Sequence, residues 1–195
     1  MAGVSEDMGG DAVDLFQLYL ISDMHVPRAT LKDALARLGR DEADIDPGKS
    51  AMLRQGFEAP GERADLYIKI LGPPIAEMPL NKTGTYHGSR ELRFRLPLWP
   101  DLDFVVNESR DGFAWGVCFQ RPQGYKPPLP NSLADLVAWK FLKDEISERF
   151  GQPEFFDGWS ASEELYYAIP ETPGAVPQRR ILVFDYKLFQ YCQTP

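Results

Sequence analysis

The sequence predicts an α+β fold: an antiparallel sheet of five to seven strands, a long helix over residues 132–150 packed on one face, and a short helix over residues 30–38 near an edge or end. Three observations predict this class. Residues 91–120 contain three short alternating runs joined by tight turns, which is typical of an antiparallel meander. Apolar residues recur at helical spacing within 132–150. Hydrophobic residues make up 44% of the chain and charged residues 26%, as in an ordinary globular domain.

The N-terminal part is predicted to form a tail, a strand and the short helix. Residues 1–11 are rich in glycine and acidic residues and are expected to be a flexible tail. Residues 13–22 (VDLFQLYLIS) are rich in strand formers and predict the first strand. Thr30 and Asp33 have the spacing of a capping box, and Gly39 follows the last apolar position, so both ends of the short helix are marked.

Two short elements are predicted between this helix and the meander. Residues 50–55 indicate a helical turn, and the alternating run 65–71 (DLYIKIL) predicts a strand. The Gly-Pro-Pro sequence that follows breaks the strand, so residues 73–88 are expected to form an extended loop.

The meander is the clearest block of the sequence. Its strands are expected at 91–96, 101–107 and 113–120, with an Asp-Gly turn before the third. Cys118 lies in the third strand and is expected to be a small core residue. The only other cysteine is Cys192, and the two give no reason to invoke an oxidising compartment.

The last third of the chain is predicted to hold the long helix and two strands. Residues 122–130 (PQGYKPPLP) form a Pro-rich connector, interpreted as a rigid linker, with a ligand for an aromatic groove as the alternative. Ser132 and Asp135 form a second capping box at the start of the helix. The elements expected after the helix are a loop over 152–162 and strands over 164–169 and 180–190.

Length and net charge narrow the possible functions. A chain of 195 residues predicts one domain, spanning residues 12–195. Twenty-nine acidic residues against 21 basic ones give a net charge of −8, which disfavours nucleic acid and anionic membranes as partners. The N-terminus lacks the pattern of a signal peptide, and no apolar run is long enough to span a membrane, so a cytoplasmic location is expected. No motif implies a cofactor.

The sharpest catalytic pattern is Asp23-x-His25, directly after the first predicted strand. It resembles the opening motif of calcineurin-like metallophosphoesterases, in which Asp-x-His ends a strand and both side chains bind a metal ion. The resemblance extends over this strand and the helix after it, while the GD, GNH and HGH-type segments that supply the other ligands of that family are missing. It implies a metal-dependent phosphoester hydrolase built on Asp23 and His25, with Asp101, Asp103 or His87 as further ligands.

Two weaker patterns resemble parts of functional sites but are not interpreted as sites. The segment from Gly48 to Ser50 (GKS) matches the end of a P-loop, but Ala43 stands where the first glycine of the phosphate cradle is needed. Asp101 and Asp103 lie two apart on a predicted strand and are expected to share a solvated face.

The first hypothesis for the function is binding to a partner protein, and the hydrolase is its alternative. The segment 155–159 (FFDGW) combines aromatic rings with an acid, which is typical of interface hot spots. The expected partner-binding residues are Phe155, Phe156, Asp157, Trp159, Glu163 and Glu164. The predicted function is a non-catalytic, acidic protein-binding module, similar in character to bacterial immunity proteins and inhibitors that neutralise a basic partner. A small-ligand binder with an aromatic pocket is a third possibility.

Overall fold

The structure, a computed structural model, describes residues 9–57, 63–80, 88–159 and 161–194. The fold is α+β and antiparallel, as predicted, but the eight strands of the described residues form two four-stranded sheets instead of one. Sheet I has the order β1-β2-β3-β4 and sheet II the order β5-β6-β7-β8. The helices are α1 (Gly9–Asp23), α2 (Arg28–Leu38), α3 (Ile45–Arg54), α4 (Ala64–Leu71) and α5 (Lys143–Phe150). The strands are β1 (Ala76–Pro79), β2 (Arg90–Arg95), β3 (Asp103–Glu108), β4 (Ala114–Gln120), β5 (Glu154–Trp159), β6 (Ser162–Ile169), β7 (Gln178–Asp185) and β8 (Leu188–Gln193).

Helix α1 occupies the place of the predicted first strand. The strand prediction for residues 13–22 is wrong because this run is buried on nearly every side, with Phe16 and Ile21 only 0% and 3% exposed. A run without a polar face has no periodicity that separates a helix from a strand. The helix even buries Gln17, whose Oε1 accepts the N–H of Leu98 at 2.8 Å and so ties α1 to the connection between β2 and β3.

The predicted tail is partly helical. Residues 9–11 belong to α1, while residues 1–8 lie outside the described part of the chain. The helix predicted over 30–38 is confirmed as α2 and ends at Gly39 as expected, but it begins at Arg28 after Pro27 without a side-chain cap, so the capping box predicted for Thr30 and Asp33 is wrong. The turn predicted at 50–55 largely coincides with the second half of α3.

Helix α4 overturns the second strand prediction, over 65–71. Its buried residues are Ala64, Tyr67 and Ile70, which recur every three positions and so lie along one helical face. The apparent alternation came from the partly buried residues between them. The loop predicted over 73–88 contains the short strand β1, and residues 81–87 lie outside the described part.

The meander is confirmed as β2, β3 and β4. Phe94, Phe104 and Phe119 are aligned across these strands, and each is at most 2% exposed. They face a core built with α1 and α4, in which the rings of Phe16 and Phe104 lie 5.4 Å apart. Alternation therefore predicted this sheet correctly, because one of its faces is uniformly apolar.

The single helix predicted over 132–150 is wrong. The capping box of Ser132 and Asp135 is present, but it starts only a short 3-10 turn. Residues 136–142 are not helical, and Trp139 has a left-handed backbone with φ of 64°. The N–H of Trp139 donates to the carbonyl of Phe189 at 2.8 Å, so pairing with β8 competes with the helix. Only α5 remains, and its Ile146 packs on sheet II.

Sheet II also differs from the prediction at two places. The loop expected over 152–162 contains strand β5, which pairs with β6. The single strand expected over 180–190 is the hairpin of β7 and β8, turning at Tyr186 and Lys187. Neither turn residue is glycine or asparagine, which is why the sequence carried no turn signal.

The two sheets contribute to separate but touching cores. Sheet I packs against the first four helices, and sheet II packs against α5. They are joined at the β7–β8 turn, where the N–H of Phe119 donates to the carbonyl of Tyr186 at 2.9 Å. None of the helices in the described residues has the length and apolar character needed to cross a bilayer.

Candidate functional site

An aromatic groove lies where the helical layer, sheet I and the connection to sheet II meet. Its walls come from α2, the connection between β2 and β3, the Pro-rich connector and residues 137–141. The groove has a volume of about 480 Å³. Its apolar lining includes Trp99, Leu102, Tyr125, Pro128, Val137 and Trp139. We call it the Trp groove.

Trp99 is fixed in the wall of the Trp groove by the turns around it. Its N–H donates to the Leu96 carbonyl, and its own carbonyl accepts the N–H of Leu102, both at 3.0 Å. Its ring packs 4.8 Å from the ring of Phe119 and is 3% exposed as a residue. The backbone on both sides of Trp99 is thus fixed, which restricts the position of the indole ring.

Trp139 covers Trp99 from the opposite wall. The two ring centroids lie 5.0 Å apart at an angle of 55°. The indole N–H of Trp139 donates to Gln190 Oε1 at 2.9 Å. A non-glycine residue in the left-handed region costs about 1–2 kcal/mol, so this position of Trp139 is held against a backbone preference.

The indole N–H of Trp99 differs from that of Trp139 because it has no acceptor. Among the buried polar side-chain atoms of the described residues, only Trp99 Nε1 and Ser89 Oγ lack a hydrogen-bond partner. Buried tryptophan N–H groups usually find one. The wall of the Trp groove thus contains a tryptophan whose buried N–H has no acceptor.

Exposed apolar side chains extend the Trp groove toward its rim. Val137 is 53% exposed and Tyr125 is 47% exposed. Tyr125 is held under the guanidinium of Arg121, which lies 5.5 Å from its ring centroid. The Pro-rich connector, predicted to be a linker, is here a wall of the groove.

The charges on the rim are unequally satisfied. The guanidinium of Arg121 is engaged by the carboxylate of Glu145 at 2.7 and 3.1 Å. Arg37 donates to the Pro97 carbonyl at 3.1 Å. Two exposed acids of the rim, Asp33 and Asp101, form no ion pair with any described residue. The lining therefore carries charges of both signs, because Arg37 and Lys140 form no ion pair with any described residue either.

The predicted contact residues lie elsewhere, on sheet II. Phe155, Phe156 and Trp159 are on the edge strand β5, and their side chains lie outside the described part of the structure. Asp157 is exposed and sits directly opposite Glu164 on β6.

Glu163 and Glu164, which were predicted to belong to the same contact surface, lie on opposite faces of sheet II. Neighbouring residues of a strand point to opposite faces, so Glu163 and Glu164 do not share a surface. Glu163 faces α5, where its carboxylate accepts from Lys143 Nζ at 2.6 Å, and it lines a polar groove of about 480 Å³ between α5 and β6. Glu164 accepts from Gln193 Nε2 at 3.5 Å on the other face.

Asp23 and His25 are directed to different partners. Asp23 ends a helix instead of a strand and pairs with Lys49 Nζ at 2.7 Å. His25 binds the buried Asp185, with its backbone N–H at 2.6 Å from Oδ2 and its Nδ1 at 3.1 Å from Oδ1. The hydroxyl of Ser162 lies 3.4 Å from the same Nδ1.

This Ser-His-Asp contact does not have the geometry of a nucleophilic triad. A triad needs the acid and the nucleophile on opposite nitrogens of the imidazole ring. Here Asp185 and Ser162 both lie at Nδ1 of His25. The arrangement instead links the segment after α1, which contains His25, to the end of β7, which contains Asp185.

The further ligands expected for a metal ion do not converge on His25. Asp103 is 3% exposed and is held by Arg93 and Arg95, so the solvated face expected for it is wrong. Asp101 lies on the Trp groove, and His87 is outside the described residues. In the described part of the chain no three His, Cys, Asp or Glu side chains are grouped to hold a metal ion.

The GKS segment has a structural explanation. It lies within α3, where a Cβ on Gly48 would come within 2.8 Å of the Leu18 Cβ. Gly48 therefore allows α3 to approach α1 closely, and Lys49 is used by the ion pair with Asp23.

Cys118 is a buried core residue, as predicted, and burial raises the pKa of its thiol. Burial also raises the pKa of Cys192. Because the thiolate is the reactive form, both cysteines are suppressed as nucleophiles in the folded protein.

The sequence did not predict the Trp groove. Its residues come from four separated segments. Only the tight turn between the first two strands of the meander, which contains Trp99 and Pro100, and the Pro-rich connector carried a local signal. The chain matches no family model, no curated protein and no solved structure. Its function is therefore inferred from the geometry above.

Proposed function

We propose that this protein is a non-catalytic binding module that recognises another protein through the Trp groove. The observation that carries the proposal is the partnerless indole N–H of Trp99 in an aromatic groove. A buried donor without an acceptor costs about 1–3 kcal/mol. A partner that places an acceptor in the groove recovers this cost, and aromatic side chains are common anchors of protein interfaces.

The partner is proposed to be basic. The support is the net charge of the whole chain, which is −8 from 29 acidic and 21 basic residues. An acidic surface steers a basic protein into fast encounter and disfavours acidic competitors. An immunity or inhibitor protein that covers a basic toxin or enzyme is the finer form of this proposal.

The segment from Phe155 to Glu164 stays a prediction for a second contact. Its support is the exposed Asp157 and its neighbour across the strand, Glu164, on the face of sheet II turned away from α5. Glu163 is the weakest member of the predicted set, because Lys143 already neutralises it.

The test is capture of the partner from a lysate of the source organism by the full chain and by matched variants. Val137→Lys places a charge of the partner's own sign on the exposed apolar rim without disturbing the core, since Val137 is 53% exposed. Val176→Lys is the control, because Val176 is 82% exposed and lies outside the groove. We expect one stoichiometric basic partner, lost at high salt, retained by Val176→Lys and lost by Val137→Lys.

Equal capture by both variants would remove the Trp groove from the interface and transfer the proposal to the Phe155–Glu164 segment. Absence of any partner, with manganese, iron or zinc bound stoichiometrically to the purified protein, would instead favour the hydrolase hypothesis at Asp23 and His25.

A further inference from the structure

A second groove, separate from the Trp groove, lies between the end of α5 and the loop that joins β6 to β7. It has a volume of about 490 Å³. Its walls include the side chain of Phe150 and three prolines, which are Pro170, Pro173 and Pro177. Among the described residues that line it, Arg149 alone is charged. We call it the Arg149 groove.

The positive charge of Arg149 is not neutralised within the described part of the chain. Arg149 is exposed, and its Nε and Nη2 donate to the Pro130 carbonyl and to Asn131 Oδ1, both at 3.2 Å. Neither acceptor is charged, and no described carboxylate pairs with Arg149. Nη1 has no acceptor among the described residues. Because a guanidinium has five N–H donors, its outer edge remains able to donate two parallel hydrogen bonds to a carboxylate.

Acidic side chains of the segments around the Arg149 groove are directed elsewhere. Glu171 pairs with Arg180, and Glu148 lines the polar groove between α5 and β6. Asp135 accepts two backbone N–H groups at 2.8 and 3.1 Å. None of these three acids lines the Arg149 groove. The groove is therefore complementary to an anion, although the whole chain has a net charge of −8.

The walls of the Arg149 groove define the rest of the ligand. Proline has no N–H, so the three prolines cannot donate to the carbonyls of a peptide or to the additional oxygens of a phosphate. Proline also has a fixed φ, and the Pro170 carbonyl accepts the N–H of Leu133 at 2.8 Å, so this wall is preformed. With Phe150, the prolines offer flat apolar surface beside a single cation. The matching ligand is polar at one end only.

We infer that the Arg149 groove binds a small monocarboxylic acid with a flat apolar body. The carboxylate accepts from the guanidinium of Arg149, and the apolar body lies against Phe150 and the prolines. A volume of about 490 Å³ is in the range of small-molecule sites. This binding site goes beyond the proposed function and does not depend on the Trp groove.

The experiment follows the backbone amides of Ala168 and Gly174 and the Nε–H of Arg149 in the nitrogen-15-labelled full chain by NMR. The probe is phenylacetate. The matched control ligands are phenylacetamide, which keeps the shape without the charge, and acetate, which keeps the charge without the ring. We expect phenylacetate to shift the three signals to saturation. Each control ligand should bind at least about tenfold more weakly, because it lacks either the charge-assisted hydrogen bonds or the buried ring.

Two pairs of variants locate the site. Arg149→Gln should reduce the affinity for phenylacetate at least about tenfold. Arg54→Gln should leave the affinity unchanged, although Arg54 is in the last turn of α3 just as Arg149 is in the last turn of α5. Ala168→Glu places a carboxylate in the lining beside Arg149 and should abolish binding, whereas the neutral Ala168→Gln should retain it. Because Ala168 is exposed, this second pair tests the inference even where Arg149→Gln does not fold.

Three results would overturn the inference. Equal affinity for phenylacetate and phenylacetamide removes the role of the charge. Equal losses within either pair of variants remove the groove as the site. Shifts that grow linearly with phenylacetate and do not saturate indicate non-specific contact. The two grooves share no lining residue, so any of these results leaves the proposed function standing. Loss of partner capture with phenylacetate binding intact would conversely remove only the proposed function.

Discussion

At the scale of single residues, Trp99 and Tyr167 are opposite cases of a buried ring that carries a polar group. The hydroxyl of Tyr167 lies 2.8 Å from Ser147 Oγ, and the residue is 2% exposed. Burial raises the pKa of Tyr167 to about 12. Trp99 is buried to the same degree, but its N–H is left without an acceptor. The hydroxyl of Tyr167 is therefore satisfied inside the molecule, whereas the N–H of Trp99 is not.

The raised pKa of Tyr167 predicts a loss of stability at alkaline pH. In the unfolded chain a tyrosine ionises near pH 10, whereas folded Tyr167 holds its proton to about 12. Between these values the unfolded state binds fewer protons, so the free energy of unfolding falls as the pH rises through this window. This stability is fully present below pH 10, and the part lost as the pH rises through the folded pKa amounts to about 3 kcal/mol.

Urea denaturation of the wild type and Tyr167→Phe between pH 8 and pH 12 measures this contribution. The variant should be less stable near neutral pH by about 1 kcal/mol, because it loses the bond to Ser147. Its stability should then fall less steeply above pH 10. Tyr166→Phe, at the neighbouring position on the other face of β6, is the control, and identical pH slopes for wild type and Tyr167→Phe would contradict the prediction.

Individual contact residues are predicted poorly from sequence because pairing is a tertiary property. The resemblance to metallophosphoesterases implied, as an alternative, a metal ion at Asp23 and His25, yet the partner of His25 is Asp185, which lies 160 residues further along the chain. Trp99 indicated only a turn. No local sequence pattern predicts which buried polar group will form a hydrogen bond. The unpaired indole nitrogen of Trp99 therefore had no signal in the sequence.

At the scale of elements, the β7–β8 hairpin is unusual because two bulky residues form its turn. Tyr186 and Lys187 have φ of 52° and 66°, the left-handed conformation that two-residue hairpin loops require. Tyr186 is 7% exposed and contributes its side chain to the core. Tyr186 thus stabilises the core by packing, while its left-handed backbone conformation carries a conformational free-energy cost that glycine or asparagine would reduce.

Lys187→Gly is expected to stabilise the protein. Glycine adopts positive φ without the penalty of about 1–2 kcal/mol that other residues incur, and the larger freedom of the unfolded chain offsets part of that gain. The net increase in the free energy of unfolding should be about 0.5–1 kcal/mol. Thermal and urea denaturation measure it.

Lys69→Gly is the matched control, since it makes the same substitution at an exposed position inside α4. There glycine should destabilise by about 1 kcal/mol. Destabilisation of similar size at both positions would show that the conformation of Lys187 carries no penalty.

Elements were predictable where their contacts are local. The meander and α2 were found because one face of each is apolar, turns separate the strands of the meander, and Gly39 marks the end of α2. Helix α1 was mistaken for a strand because it is buried all round. The helix expected over 132–150 was interrupted because Trp139 and its neighbours pair with β8, a partner that a helical pattern cannot reveal.

At the scale of the whole molecule, three contacts join the two cores at neighbouring points. His25 binds Asp185, the N–H of Phe119 donates to Tyr186, and the 139–142 segment pairs with β8. All three involve the end of β7 or the start of β8. The α+β class was predictable from composition and alternation, but the division into two sheets was not, because short turns look alike within a sheet and between sheets.

These joints predict that both sheets unfold together, which also tests the prediction of a single domain over residues 12–195. Cys118 lies on β4 in sheet I and Cys192 on β8 in sheet II, so each sheet carries one thiol. Pulsed alkylation across a urea titration, read by mass spectrometry of the two peptides, should give the same midpoint for both thiols. Clearly separate midpoints would indicate two independently folding units.

The contact between Phe119 and Tyr186 has one more consequence. The edge strand of a sheet normally presents unpaired backbone N–H and C=O groups. A strand of another polypeptide can pair with these groups, which is the first step of fibril growth. Here β4 is met by the β7–β8 turn, β8 is met by residues 139–142, and β5 carries a bulge near Asp157. The contacts that join the two cores therefore also protect β4 and β8 against templated self-association, and the bulge does so for β5.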